Sequence, residues 1–195
     1  MELPVILFVL LLVTGVFLVG IYNGLVTLRN AFRNAFAQVD VQLKRRHDLI
    51  PNLVETAKGY MAHERQTLEA VIAARASATQ ANLRVTANPG DAAAVGALAQ
   101  AESGLTSALG RLLAVAENYP QLKADATMRS LMEELTSTEN RLAFARQAFN
   151  DAILAYNNRR ETFPAVLVAG ALGFQPGEFL RTESEAERQA PKVGF

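Results

Sequence analysis

Residues 131–156 read LMEELTSTENRLAFARQAFNDAILAY, and apolar or small positions recur at Leu131, Leu135, Thr138, Leu142, Ala145, Phe149, Ala152 and Tyr156. Steps that alternate between four and three give a period of about 3.5 residues, the pattern of long helices packed with a left-handed supercoil. A strand would need alternation in twos, and no run of alternating β-branched residues competes. The same rhythm precedes this stretch at Leu98, Ala101, Leu105, Ala108, Leu112, Val115 and Tyr119, where Pro120 ends it. Farther upstream Leu25, Leu28, Phe32, Ala35 and Val39, flanked by Phe36 and Leu43, form one helix face that runs to about Arg46. Between these lies a segment reaching about Arg84, with Leu53, Ala57, Tyr60, Leu68 and Val71 facing inward. Asp48 as a cap and Pro51 in a first turn predict a break or a kink at its start. Asn88-Pro89-Gly90-Asp91 predicts a turn with Asp91 as the next N-cap. The fold class is therefore all-α, with an up-and-down bundle of four long helices over residues 23–162 and frequent Ala allowing close packing.

Ahead of the bundle, Leu3 to Ile21 (LPVILFVLLLVTGVFLVGI) is almost wholly apolar, and no residue from Leu3 to Leu28 is charged. Such a helix crosses a hydrocarbon core of about 30 Å. A secretory signal would carry a basic start and a small-x-small site just after a shorter apolar core. Here the start carries Glu2, and Ala35-Phe36-Ala37 lies well beyond the run, so residues 1–22 are read as a retained anchor in the lipid bilayer. Arg29 and Arg33 follow the span, then Lys44, Arg45 and Arg46, which places the body in the cytoplasm of a single-pass inner-membrane protein. Gly20 and Gly24 form a GxxxG at the exit, a motif that lets two helices approach closely.

Composition narrows the chemistry. The 195 residues hold 19 Lys+Arg against 19 Asp+Glu, with no Cys and no Trp. A net charge of zero leaves no basic face for a phosphate backbone, so nucleic acid is not an expected partner. Without Cys there is no disulfide framework, thiolate metal site or cysteine nucleophile. Neither His47 nor His63 sits in a Glu-x-x-His or His-Glu-x-x-His pattern, and no G-x-S-x-G, phosphate loop or dinucleotide fingerprint appears. No catalytic residue, metal site or cofactor is expected.

Several stretches match a known pattern: Tyr22-Asn23-Gly24-Leu25-Val26, Gln38-Val39-Asp40 through Arg46-His47-Asp48 to Pro51-Asn52-Leu53-Val54, Lys58-Gly59-Tyr60, His63-Glu64, Tyr119-Pro120-Gln121-Leu122-Lys123-Ala124, Thr138-Glu139-Asn140-Arg141, Tyr156-Asn157, Phe163-Pro164 and Pro191-Lys192-Val193. From Tyr22 onward the chain resembles the LemA family of bacterial membrane proteins. Phe36 stands where that family's pattern has Trp, and Gly194 where it has Asp before the last Phe. The resemblance implies one N-terminal span and a four-helix bundle, and it implies no reaction.

The expected function is a non-enzymatic, membrane-anchored scaffold that self-associates and organises or shapes the bacterial membrane. The alternative is an adaptor that passes envelope status to a partner protease or kinase. Apolar residues on more than one stripe, Phe32 with Phe36 and Phe144 with Phe149, point to subunit contacts, since one bundle interior needs only one stripe. Lys44, Arg45 and Arg46 lie about 33 Å along a helix from the span. Screening acts over about 8 Å, so they suit a structural role, a helix end or a subunit contact better than their own bilayer. Asn23, Asn30 and Asn34 on the first helix and Asn140, Asn150 and Asn157 on the last are candidates for setting register between helices. Residues 163–180 form an apolar C-terminal segment, whose charge-free part FPAVLVAGALGF is too short to span. Val166 and Leu172 there are candidates for contact with membrane or anchor, the other reading being a cap on the bundle end. If Pro51 only kinked one long helix, that segment would end far from the span. Residues 181–195 read as a flexible tail, with Phe195 open to a protein partner that captures C-terminal carboxylates.

Overall fold

The computed structural model describes residues 2–181, and the tail beyond Arg181, with Phe195, lies outside the described residues. Five helices follow in order: α1 (Glu2–Lys58), α2 (Arg65–Ala87), α3 (Ala92–Ala116), α4 (Pro120–Ala124) and α5 (Ala126–Glu161), with a 3-10 turn at Ala165–Leu167. No strand occurs among the described residues. The protein is all-α, as the periodicity requires.

α1 is one helix of 57 residues, so the apolar N-terminal stretch and the first bundle helix are a single rod. The break or second start expected at Asp48–Pro51 does not occur, because Pro51 lies inside the helix. Proline lacks the N–H that the carbonyl four residues back expects, and here that carbonyl belongs to His47. Arg75 of α2 takes it, its Nε donating at 2.8 Å. The reversal comes instead at 59–64, where the Met61 N–H still reaches the Ala57 carbonyl at 2.9 Å and the Met61 side chain is fully buried. Tyr60, expected inward, is 40% exposed, and its hydroxyl donates to Asp125 at 3.0 Å.

The later boundaries follow their caps. Asp91 accepts from the Ala93 and Ala94 N–H groups at 2.9 and 3.2 Å, as the turn residues predict. Asp125 accepts from the Met128 N–H at 2.9 Å and opens α5, while Pro120 occupies the first turn of α4.

The chain runs up and down. α2 returns until Gly90 lies beside the Phe32 ring, α3 goes out again, and α5 returns until Tyr156 stacks edge-on against Phe32 at 5.2 Å between centroids. Two apolar clusters fill the interior. The proximal one, nearer the apolar half of α1, joins Leu25, Phe32, Phe36 and Val39 to Val85, Leu98, Phe149 and Tyr156. The distal one joins Ile50, Leu53 and Ala57 to Val71, Leu105, Leu112, Leu122 and Leu131. Phe32, Phe36 and Phe149 are thus inside their own subunit, which corrects their expected place on an outer contact stripe. Phe36 and Phe149 meet edge-on at 5.5 Å, the arrangement aromatic quadrupoles favour. Of the four, only Phe144 is outside, 75% exposed.

Candidate membrane-proximal site

From Leu3 to Val19 every large apolar side chain of α1 is exposed, and only 6% of its most apolar 18-residue window is buried inside the protein. A core helix of a soluble protein would be mostly covered. At Ile21 burial begins abruptly, because α5 and the C-terminal segment arrive there. The Phe174 ring meets Tyr22 edge-on at 5.5 Å, and the Arg29 guanidinium lies 5.1 Å from the centre of the same ring. The continuous α1 does not carry residues 163–174 away from the span, contrary to the expectation tied to Pro51. The turn at 59–64 restores the fourth pass, so the segment comes back to the level of Tyr22.

That segment is two-sided. Ala165, Ala169 and Phe174 are buried in the proximal cluster, while Phe163, Val166, Leu167 and Leu172 are exposed at 78, 51, 72 and 40%. Its backbone bonds to itself: the Ala169 N–H donates to Ala165, Leu172 to Val168 and Phe174 to Ala169, all within 3.0 Å. Gly173 makes the bend with φ +79, a left-handed conformation that a side chain would strain.

Beyond Phe174 an extended strap, residues 175–181, runs back along α5. Asn157 brackets Gly177, donating to its carbonyl at 2.9 Å and accepting its N–H at 2.8 Å. Seven residues earlier, Asn150 treats Leu180 the same way at 3.3 and 2.9 Å. The Tyr156 hydroxyl donates to Gln175 at 2.7 Å, and Arg160 to the Phe174 carbonyl at 3.0 Å. Burial pushes the Tyr156 phenol above its ordinary value, against the opposing charges of Arg160, Arg29 and Arg33. Strap and helix approach so closely at Gly177 that a Cβ there would sit 2.7 Å from Ile153. Asn150 and Asn157 therefore hold backbone, not a facing helix, which corrects their expected role.

Four arginines surround this end. Arg159 closes over Gly24, its Nε 3.7 Å from where a Cβ would stand, so Gly24 is occupied within its own subunit while Gly20 faces open space. Arg160 pairs weakly with Glu161 at 3.5 Å. Arg33 and Arg159 are exposed and form no salt bridge among the described residues.

Mid-bundle, the basic run ties α1 to the helices around it. Consecutive helical residues point about 100° apart, so Lys44 to His47 reach around the whole rod. Lys44 bonds Asp40 at 2.6 Å, and Arg45 pairs with Glu134 of α5. Arg46, 4% exposed, donates to Glu102 and Thr106 of α3, both at 2.8 Å. His47 meets the other Glu102 oxygen at 2.7 Å and Thr79 of α2 at 3.3 Å. Asp40 also accepts from Asn82 at 2.7 Å and Thr86 at 3.2 Å. Burial alone would raise its carboxyl, yet the hydrogen bonds from Lys44 and Asn82, the Lys44 charge and the Thr86 hydroxyl together hold it below the ordinary value. This layer separates the two apolar clusters, and sequence periodicity does not reveal its donors on α2, Asn82 and Thr86, or its acceptors on α3, Glu102 and Thr106.

A long apolar helix continuous with a four-helix bundle defines a membrane-associated helical protein. Residues 35–195 match the LemA family, and the chain belongs to it. It is also 28% identical over 173 residues to the magnetosome protein MamQ of Magnetospirillum gryphiswaldense, covering 81% of this chain. Magnetosome protein MamQ 2 of Paramagnetospirillum magneticum is 28% identical over 175 residues, covering 82%. In both, the match spans 64% of the relative's length. Neither the family's description nor these names carries a reaction.

Proposed function

We propose that the chain is a membrane-anchored scaffold that self-associates and organises the bacterial inner membrane, with its bundle in the cytoplasm. One observation carries this: the apolar stretch and the first bundle helix are a single unbroken α1, 57 residues long. An anchor fused without a hinge transmits the orientation of the bundle to the bilayer and the reverse, as a scaffold needs and a tethered catalytic domain does not. Relatives named for a cellular structure, not for a reaction, support the same reading. The cations that follow the span favour retention on the cytoplasmic side.

The test is the mass of the intact full chain extracted in mild detergent. A single defined homo-oligomer is the expected result, and a strict monomer would sink the scaffold. Protease added to intact spheroplasts should spare the bundle, and its digestion there would reverse the orientation.

A further inference from the structure

We propose that residues 163–172 are an interfacial foot. In this arrangement Phe163, Val166, Leu167 and Leu172 dip into the bilayer face from which α1 emerges, while Arg159, which lies over Gly24, binds a phosphate of an anionic lipid headgroup. The inference rests on the reading of α1 as a span, and goes beyond it in naming a second, lipid-specific contact.

Position comes first. Phe174, which ends the segment, is in contact with Tyr22 at the point where α1 ceases to be covered by protein, so the segment lies at the exit of the span. Four large apolar side chains point outward there with no charge between Phe163 and Phe174, and solvent exposure of such a cluster is unfavourable unless something covers it. Most N–H groups from Val166 to Phe174 are already hydrogen-bonded to nearby carbonyls, which lowers the cost of taking a non-helical stretch into a water-poor layer. Charge complementarity then selects the occupant. Arg159, four residues before Phe163 and lying over Gly24, is exposed and forms no salt bridge among the described residues, and a basic group at that level is attracted to an anionic surface. Two points of contact, span and foot, would set the tilt of the bundle, which one helix alone leaves free.

The chain has no Trp, so single substitutions give clean depth probes. Full-length Leu167→Trp, with Phe163→Trp as a second reporter, is reconstituted in phosphatidylcholine vesicles with and without phosphatidylglycerol. Leu10→Trp reports on the span, and Ile72→Trp, exposed on α2, reports on the distal bundle. With phosphatidylglycerol present, both foot reporters should be quenched several-fold more by acyl-brominated lipid, and several-fold less by iodide, than Ile72→Trp. Arg159→Gln should abolish the difference between the two lipid mixtures. Foot reporters as open to iodide as Ile72→Trp would overturn the proposal, as would protection that appears only at high protein-to-lipid ratio, which signals a neighbouring subunit. Equal insertion in both mixtures would overturn the headgroup contact. If Leu10→Trp also escapes the brominated lipid, the span itself fails; if it alone is quenched, only the foot does.

Discussion

The Nε of Arg75 donates to the carbonyl of His47 at 2.8 Å, and that carbonyl is the one Pro51 leaves without its helical donor. A cation from α2 thus completes the hydrogen bonding of α1 and lets the rod pass through a proline. Arg75→Gln should lower stability by about 1–3 kcal/mol, the cost of an unsatisfied buried acceptor. Pro51→Ala restores the backbone N–H, so in that background the same Arg75 change should cost clearly less. A double-mutant cycle from denaturant unfolding measures the coupling. Purely additive costs would mean that Arg75 acts elsewhere.

Asp40 links stability to acid. Its carboxyl is held below 3.8 in the fold, so its ionised form contributes stability that is fully present above about that value and is lost as pH falls through the lower folded value. Asp40→Asn should therefore be less stable than wild type at neutral pH, and the gap should narrow as pH drops below 3.8. Thermal melts across that range decide it. A gap that stays constant would show that Lys44, Asn82 and Thr86 do not favour the ionised form.

Much of this architecture was legible because burial along a helix is periodic. The steps of three and four place Leu98, Leu105, Leu112, Leu142 and Tyr156 inside, and all are buried. What periodicity does not carry is the partner of a polar group. Asn150 and Asn157 bond residues 30 and 20 positions later in an extended strap that has no repeat to reveal it. The helix reversal falls beyond Pro51 for a related reason. Pro51 reads as a break only when its rescuer, Arg75, is out of view, and the actual turn at 59–64 includes Gly59 but no proline. Phe36 falls four residues after Phe32 and three before Val39, so it continues the buried stripe of α1 and meets Phe149.

The strap makes its own prediction. Asn157→Leu keeps volume but removes both bonds to Gly177, and Asn150→Leu does the same at Leu180. Each should cost about 1–3 kcal/mol. Together they should free residues 175–181 from α5 while the bundle keeps its helicity. Limited proteolysis should then cut within the strap many-fold faster than in wild type, with circular dichroism unchanged. An uncut strap would assign its hold to Phe174 and Leu180 packing instead of the amides.

Phe36 and Phe144 separate the core from the candidate subunit surface. Phe36 is 2% exposed against Phe149, so Phe36→Ala should cost about 3–5 kcal/mol, the usual loss for a large aromatic side chain removed from a core. Phe144 is 75% exposed on α5, and Phe144→Ser should change the stability of a single bundle by no more than about 0.5 kcal/mol. If bundles associate through that face, however, the ring lies in the contact, and its loss should shift the detergent-extracted particle toward monomer while the unfolding midpoint of the dissociated chain stays near wild type. Mass and thermal melts on both variants distinguish the cases. Dissociation by Phe36→Ala should appear only where melting begins, because its route is through the fold. A Phe144→Ser particle of unchanged mass would remove the α5 face from the self-association interface and leave the span as its remaining candidate, where Gly20, open on its helix face, is the position to test next.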